Sequence, residues 1–345
     1  MLRKAILFWG SLIGGALIIL SLMIGGAILY TRTYSPSLTQ TDKDSVYFYV
    51  RTGSQYPAVL QDMKKTRWLK QEKGFNWVAQ KKEYPDHVKP GRYLLTKGMS
   101  NAQIVDVLRS GKQEEVHLVF KTTRHFDRLA GVISKQIEAD SASLLKAFRD
   151  PAVMASFGLK PEHWMAMFVP NTYRFLWNTS TDQFLKRMNQ EFNAFWNPER
   201  ERLLKEVGLS RFELVTLAAI VQEETFKTED MPMVAGVYFN RLHMGMRLQA
   251  DPTVIFAVGD YSIKRVLHAH LTCDSPYNTY KYAGLPPGPI RIPSVQAIDA
   301  CLNYKRHNYL YFCAKEDFSG YSVFARSYSD HLVNARKYQR ALSRR

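Results

Sequence analysis

The first hydrophobic pattern along the chain is a continuous run. From Ala5 to Tyr30, "AILFWGSLIGGALIILSLMIGGAILY" carries no charged residue. A helix needs about 20 apolar residues to cross a bilayer, whereas a cleavable signal has an apolar core of about 7–15 residues and a small-residue cleavage site. The run therefore predicts one membrane-spanning helix over 5–30. Arg3 and Lys4 precede it, so the positive-inside rule puts residues 1–4 in the cytoplasm and the rest of the chain on the far side of the inner membrane. Residues 31–45, "TRTYSPSLTQTDKDS", are polar and turn-rich and read as a linker.

Beyond the linker the pattern changes twice. "SVYFYVRTG" alternates with period two and ends in a turn, which predicts a strand. Helical patterns follow in "YPAVLQDMKKTRWLK" and "FNWVAQKKE", and "KPGRYLL" reads as a turn entering a strand. In "SNAQIVDVLRSG", Ser100 is an N-cap and Gly111 a terminator, so a short helix is predicted between them. "EEVHLVF" alternates again. Residues 46–120 thus form a small α+β module, and residues 121–345 a second, mainly helical domain. Its helical patterns begin at "RHFDRLAGVISKQI" and give way to the turn-rich "DPTV", "DSPYNTY" and "GLPPGPIRIPS". His268 and His270 are placed on one face of a strand. The fold class is α+β.

Composition narrows the function. A hydrophobic content of 46% with 13% aromatics supports a packed core. The net charge of +16 suits nucleic acid, an anionic membrane surface or an anionic envelope polymer. The basic residues are scattered among acids without a compact run, zinc-finger spacing or RNA-binding aromatic motif, so no nucleic-acid partner is expected. Cys273, Cys301 and Cys313 have no metal-like spacing and cannot complete a disulfide framework. No metal and no cofactor are expected.

The candidate chemistry lies in "LAAIVQEET". Ser210 and Glu213 make the capping-box pattern that starts a helix. At about 100° per residue, Leu214, Leu217, Val221 and Glu224 share one stripe. Glu223 and Gln222 rotate away from it, and Glu223 is expected to face water. Glu224 would then sit at the C-terminal edge of an apolar surface. Burial and the negative end of the helix dipole both raise a carboxyl pKa, which suits a proton donor near neutral pH. Spacing alone leaves a solvated helix end open as the alternative. "GLPPGPI" is read on composition as a rigid turn.

Four blocks in order carry a resemblance. "FVPNTYRF" (168–175), "LAAIVQEET" (217–225), "NRLHMGMRLQADPTV" (240–254) and "SPYNTYKYAGLPPGPI" (275–290) resemble motifs of the MltG/YceG-like endolytic lytic transglycosylases. The resemblance implies a LysM-like module at 46–120 and a catalytic transglycosylase domain at 121–345. It also implies cleavage of the β-1,4 bond between MurNAc and GlcNAc in peptidoglycan, with 1,6-anhydroMurNAc ends. The family's catalytic glutamate falls on Glu224. Asn240, Gln249, Asp251, Tyr277, Asn278 and Tyr280 are expected to line the glycan groove, with turn or cap duty as the alternative for Asn240 and Asp251. Two positions depart from the family pattern: Gln222 replaces a glutamate, and Ser322 a histidine two residues before Phe324, while His331 matches a later family histidine. The expected partners are glycan strands, the membrane and, by resemblance, peptidoglycan synthases such as penicillin-binding proteins, with strand termination as the implied role. A hydrolytic muramidase, with Asp251 as second carboxylate, and a non-catalytic wall-binding scaffold are the alternatives.

Overall fold

The computed structural model describes residues 2–344, with side chains described at Trp9 and from Ile13 onward, apart from Arg345. The side chains of Arg3 and Lys4, and Met1 itself, lie outside the described residues, so the expected tail at 1–4 lies there too. About half of the chain is helical and the remainder includes three two-stranded sheets, so the class is mixed α+β. The chain divides into two compact units, one running to His117 and including Arg174–Thr179, the other comprising Leu118–Tyr173 and Ser180–Arg345.

The first unit begins with helix α1 (Leu2–Tyr34). Its stretch Ile13–Tyr34 has a mean hydropathy of 2.2 and none of it is buried, so by length and composition it can span a membrane or serve as a signal sequence. Strand β1 (Ser45–Val50) pairs antiparallel with β2 (Gly91–Thr96), from Ser45 opposite Thr96 to Val50 opposite Gly91. Between them lie α2 (Tyr56–Thr66) and α3 (Glu72–Lys81), and α4 (Asn101–Ser110) follows. Alternation puts Phe48, Val50, Tyr93 and Leu95 inside, against Val59, Met63, Phe75, Val78, Ile104 and Leu108. The Ser100 capping box is formed, with Gln103 as its partner, and Gly111 ends α4 in the left-handed region at φ 73°.

The segment expected as a linker behaves differently. Its first four residues complete α1. Ser37 and Leu38 are buried, held by hydrogen bonds from both backbone N–H groups to the Met99 carbonyl. Asn101 donates from Nδ2 to the Arg32 carbonyl at 2.8 Å, which fixes the end of α1 to the module. Gly74 makes this approach possible: a Cβ there would lie 2.7 Å from Asn101 Nδ2. Apolar Leu38 filling the module core outweighs the turn-rich composition around it.

Strands β3 (Glu115–Phe120) and β4 (Asn171–Leu176) pair, and the division between the units falls within both. β4 lies in "FVPNTYRF", where a mainly helical pattern had been expected. In the second unit come α5 (Phe126–Ser134), α6 (Ser141–Arg149), α7 (Pro151–Ser156), α8 (Thr181–Phe195) and α9 (Pro198–Val207). They surround an aromatic cluster in which Phe148 and Phe168 lie 5.2 Å apart and Phe168 meets Trp164 edge-on.

The centre of this unit is α10 (Arg211–Glu224). Its run Leu214–Val221 is buried at all eight positions, because α11 (Met231–His243), α12 (Asp251–Val258) and α14 (Val295–Leu302) pack around it. A helix apolar on every face is a core helix. The "DPTV" expected as a turn opens α12, with Pro252 in the first helical turn where a missing N–H costs nothing. His268 and His270 lie on the short helix α13 (His268–Leu271) and not on a strand. A hairpin of β5 (Tyr311–Ala314) and β6 (Ser322–Ala325) pairs Tyr311 with Ala325 and packs beside α15 (Tyr328–Ser343).

Candidate active site

The capping box at Ser210 and Glu213 is formed and starts α10. Fourteen residues later the helix ends on Glu224, with Thr225 turning extended. Next to Glu224 on α11 stands Tyr238, whose hydroxyl donates to Glu224 Oε1 at 3.0 Å. One turn on, Arg241 is buried: Nε donates to the Leu310 carbonyl at 2.7 Å and Nη1 to the Leu248 carbonyl at 2.6 Å. The guanidinium thus ties the hairpin and the "RLQAD" loop to α11.

That loop is held in an uncommon conformation. Gln249 has φ 50°, a left-handed backbone that favours glycine or asparagine. It persists because its neighbours are fixed. Leu248 and Ala250 are buried, the Gln249 N–H donates to the Thr279 carbonyl, and the Ala250 N–H donates to Thr279 Oγ1. Thr253 and Thr279 hydroxyls meet at 2.8 Å beneath them. Strain over-determined in this way clusters at functional sites. Asp251 follows at the start of α12 and accepts a hydrogen bond from the Tyr280 hydroxyl at 2.5 Å.

These elements line a pocket of about 270 Å³ with Glu224, Tyr238, Arg241, Gln249, Asp251 and Tyr280. Tyr311, Phe312, Tyr328 and His331 add aromatic rings to its wall. The Tyr311 and His331 rings stack at 5.6 Å, and His331 Nδ1 is buried without a hydrogen-bond partner among the described residues. Burial and the nearby Arg241 charge hold the His331 pKa down, which favours the neutral ring.

The electrostatics single out one carboxyl. Burial pushes Glu224 up to about 7, and the charges of Asp251 and Glu223 add to the shift. The Tyr238 hydrogen bond and Arg241 pull the other way without cancelling it. Burial, then the Asp251 hydrogen bond, raises the Tyr280 phenol, so it remains a donor. A carboxyl poised near neutrality beside hydroxyl donors can give a proton and take one back.

Glu223 does not face water, as its rotation off the stripe had suggested. Its side chain is only 6% exposed and is clasped by Arg124 and by Arg291, whose Nη1 donates to Oε1 at 2.7 Å. The helical wheel assumed one wet face, and α10 has none. Gln222 accepts at Oε1 from the Ser294 N–H at 2.6 Å, at the cap of α14. The Ser322 N–H donates to Asp230 Oδ2.

Of the expected groove residues, Gln249, Asp251 and Tyr280 share the pocket with Glu224. Asn240, Tyr277 and Asn278 do not line it. Asn240 donates from Nδ2 to the carbonyls of His307 and Tyr309. Asn278 is fully buried and caps the loop through Leu271 and Cys273 carbonyls, and Tyr277 packs on Phe256 at 4.7 Å. Tyr238 and Arg241 join the site in addition to the residues expected from the sequence. Both left a signal, since a tyrosine or arginine within an apolar helix needs a polar partner when buried.

Fold and pocket together describe a site centred on one acid and walled in part by aromatic rings. The chain matches the YceG-like family over residues 48–337 and belongs to it. It is 31% identical to an endolytic murein transglycosylase of Bacillus subtilis (strain 168), over 92% of this chain and 91% of that protein. An endolytic murein transglycosylase of Streptococcus pneumoniae (strain D39) is 26% identical over 93% of this chain, which spans 64% of that protein's length. The crystal structure of a yceG-like protein from Listeria monocytogenes superposes with a TM-score of 0.56 at 26% identity, covering 85% of this chain and 99% of that one.

Proposed function

We propose that this chain is a membrane-anchored endolytic lytic transglycosylase that cuts the MurNAc–GlcNAc β-1,4 bond of peptidoglycan with Glu224 as its acid and base. The observation that carries the reading is the half-buried Glu224, its carboxyl raised to about 7 by desolvation in a pocket shared with Tyr238, Gln249, Asp251 and Tyr280. Membership of a family whose relatives are murein transglycosylases makes the chain an enzyme of that class.

The protonated carboxyl gives its proton to the glycosidic oxygen as the C1–O bond breaks. The resulting carboxylate then takes the proton of the MurNAc C6 hydroxyl, and O6 bonds to C1. The proton returns to Glu224 and no water is consumed, so one carboxyl serves both steps. Tyr238 and Arg241 stabilise its ionised state between the two steps. Tyr280 and Gln249 offer hydrogen bonds to sugar hydroxyls, and the Tyr311 and Tyr328 rings suit sugar faces.

Asp251 in the same pocket favours a second reading, hydrolysis by paired carboxylates. Digestion of purified peptidoglycan separates the two: anhydroMurNAc ends support transglycosylation, and reducing ends overturn it. In this reading Asn240 positions the segment that leads into the Tyr311 strand, and Tyr277 and Asn278 position the loop that carries Tyr280.

The anchor reading is supported by α1. Trp9 and Tyr30 are both exposed and lie 21 residues apart, which is about 32 Å of helix, close to the thickness of the hydrocarbon core. The module at 46–120 is taken as LysM-like and the domain at 121–345 as catalytic. An extracytoplasmic body working near the membrane would end nascent strands beside their synthases.

A further inference from the structure

A second cleft lies in the first unit, where α1 meets α3. Its volume is about 760 Å³ and its wall includes Ile28, Thr31 and Arg32 of α1 with Arg67, Lys70 and Lys73 of the module. Glu72 is the acid that shares it, so four positive side chains face one negative. Among the described residues, the ion pairs of this unit, Lys65–Asp62, Lys82–Asp106 and Arg174–Glu115, involve none of the four. All four are exposed.

The chain builds this cleft deliberately. Arg67 ends α2 in the left-handed region at φ 56°, where glycine or asparagine is the usual residue. The Lys70 N–H donates to the Ser37 carbonyl at 2.8 Å, so Lys70 is held on the segment that leaves α1. The α3 N-cap, Gln71, makes no side-chain cap, and the positive end of that helix adds to the same field. Tyr30 and Tyr34 are exposed on α1 at the same level along the helix, in the aromatic position that marks a membrane–water boundary.

We infer that this cleft binds the phosphate headgroup of an anionic membrane lipid. This rests on the reading of α1 as a membrane anchor: an apolar helix entering the bilayer at Ile28 brings Arg32 to headgroup depth, with Arg67, Lys70 and Lys73 around it. The acyl chains lie along the exposed face of α1 and the phosphate sits among the guanidinium and ammonium groups. The lipid thereby fixes the module at the bilayer surface.

The test uses the full chain in detergent micelles, titrated with phosphatidylglycerol or phosphatidylcholine and read by native mass spectrometry. Retention of phosphatidylglycerol in preference to phosphatidylcholine is expected. Each basic group near an anionic surface contributes about fivefold, so the variant Arg32→Gln/Arg67→Asn/Lys70→Gln/Lys73→Gln binds at least about a hundredfold more weakly. Its thermal unfolding stays unchanged, because none of the four is part of the core. Equal retention of both lipids, or undiminished retention by the variant, overturns the proposal. Complete displacement of the lipid by millimolar inorganic phosphate also overturns it, since the site would then be one for free phosphate. Flotation with pure phosphatidylcholine vesicles reads the anchor alone. Failure there refutes the anchor reading, while retention in micelles still judges the cleft.

Discussion

Replacing Glu224 by glutamine keeps the shape of the side chain and its acceptor for the Tyr238 hydroxyl, while removing the ability to ionise. In the folded protein the carboxyl titrates near 7, against an ordinary glutamic acid value of 4.5. The raised value means that the folded state prefers the protonated form. Stability from this group is complete below about 4.5 and is lost as pH rises through about 7. A shift of about 2.5 units corresponds to about 3 kcal/mol. Glu224→Gln therefore matches the native protein at pH 4.5 and exceeds it by about 3 kcal/mol at pH 8. For a unit of this size 1 kcal/mol moves the midpoint by about 2–4 °C, so the difference in Tm between the two proteins should grow by about 6–12 °C across that range. Thermal unfolding followed by near-ultraviolet circular dichroism reads it. A Tm difference that stays flat with pH would refute the claim that burial raises this carboxyl. The same titration governs activity: kcat/KM on peptidoglycan should fall as pH rises above about 7, where the acid is lost.

Three further outcomes follow from the same geometry. Tyr238→Phe removes the hydrogen bond that pulls Glu224 down, so its pKa rises and the alkaline limb of the activity profile moves to higher pH; an unmoved limb would show that Tyr238 does not tune the carboxyl. Arg291→Met leaves Glu223 with Arg124 as its remaining cation and should cost about 1.5–3 kcal/mol in chemical denaturation, whereas a loss below about 1 kcal/mol would mean that water reaches the pair. Gly288→Ala places a Cβ 1.9 Å from the Glu162 carbonyl, so the variant should unfold at lower temperature than the native chain, and an unchanged midpoint would show that this turn yields.

Much of this arrangement was legible before folding, in particular ways. Ser100 with Gly111 and Ser210 with Glu213 bracket helices because capping is local chemistry, carried by residues three or four positions apart. Period two in "SVYFYV" marks a strand, and β1 forms there with Phe48 and Val50 facing the core. Glu223 lies beyond a helical wheel, which knows the rotation of a residue but not what surrounds the helix. Arg124 and Arg291, roughly 70 to 100 residues away in sequence, supply its partners. The same limit applies to Tyr238 and Arg241, whose role exists only once α11, the hairpin and the Gln249 loop meet. "DPTV" reads as a turn from composition, yet Pro252 suits the first turn of a helix equally well, and burial of Thr253 and Val254 decides in favour of the helix. Leu38 was hidden by polar neighbours and is drawn in because the module core has room for it.

If one carboxyl, Glu224, cuts the glycan without water, the ends it leaves report it directly. Mass spectrometry of purified peptidoglycan digested by the full chain, run beside Glu224→Gln, should show 1,6-anhydroMurNAc ends from the native chain and no cleavage from the folded variant. Reducing MurNAc ends, or anhydro ends still made by Glu224→Gln, would contradict it.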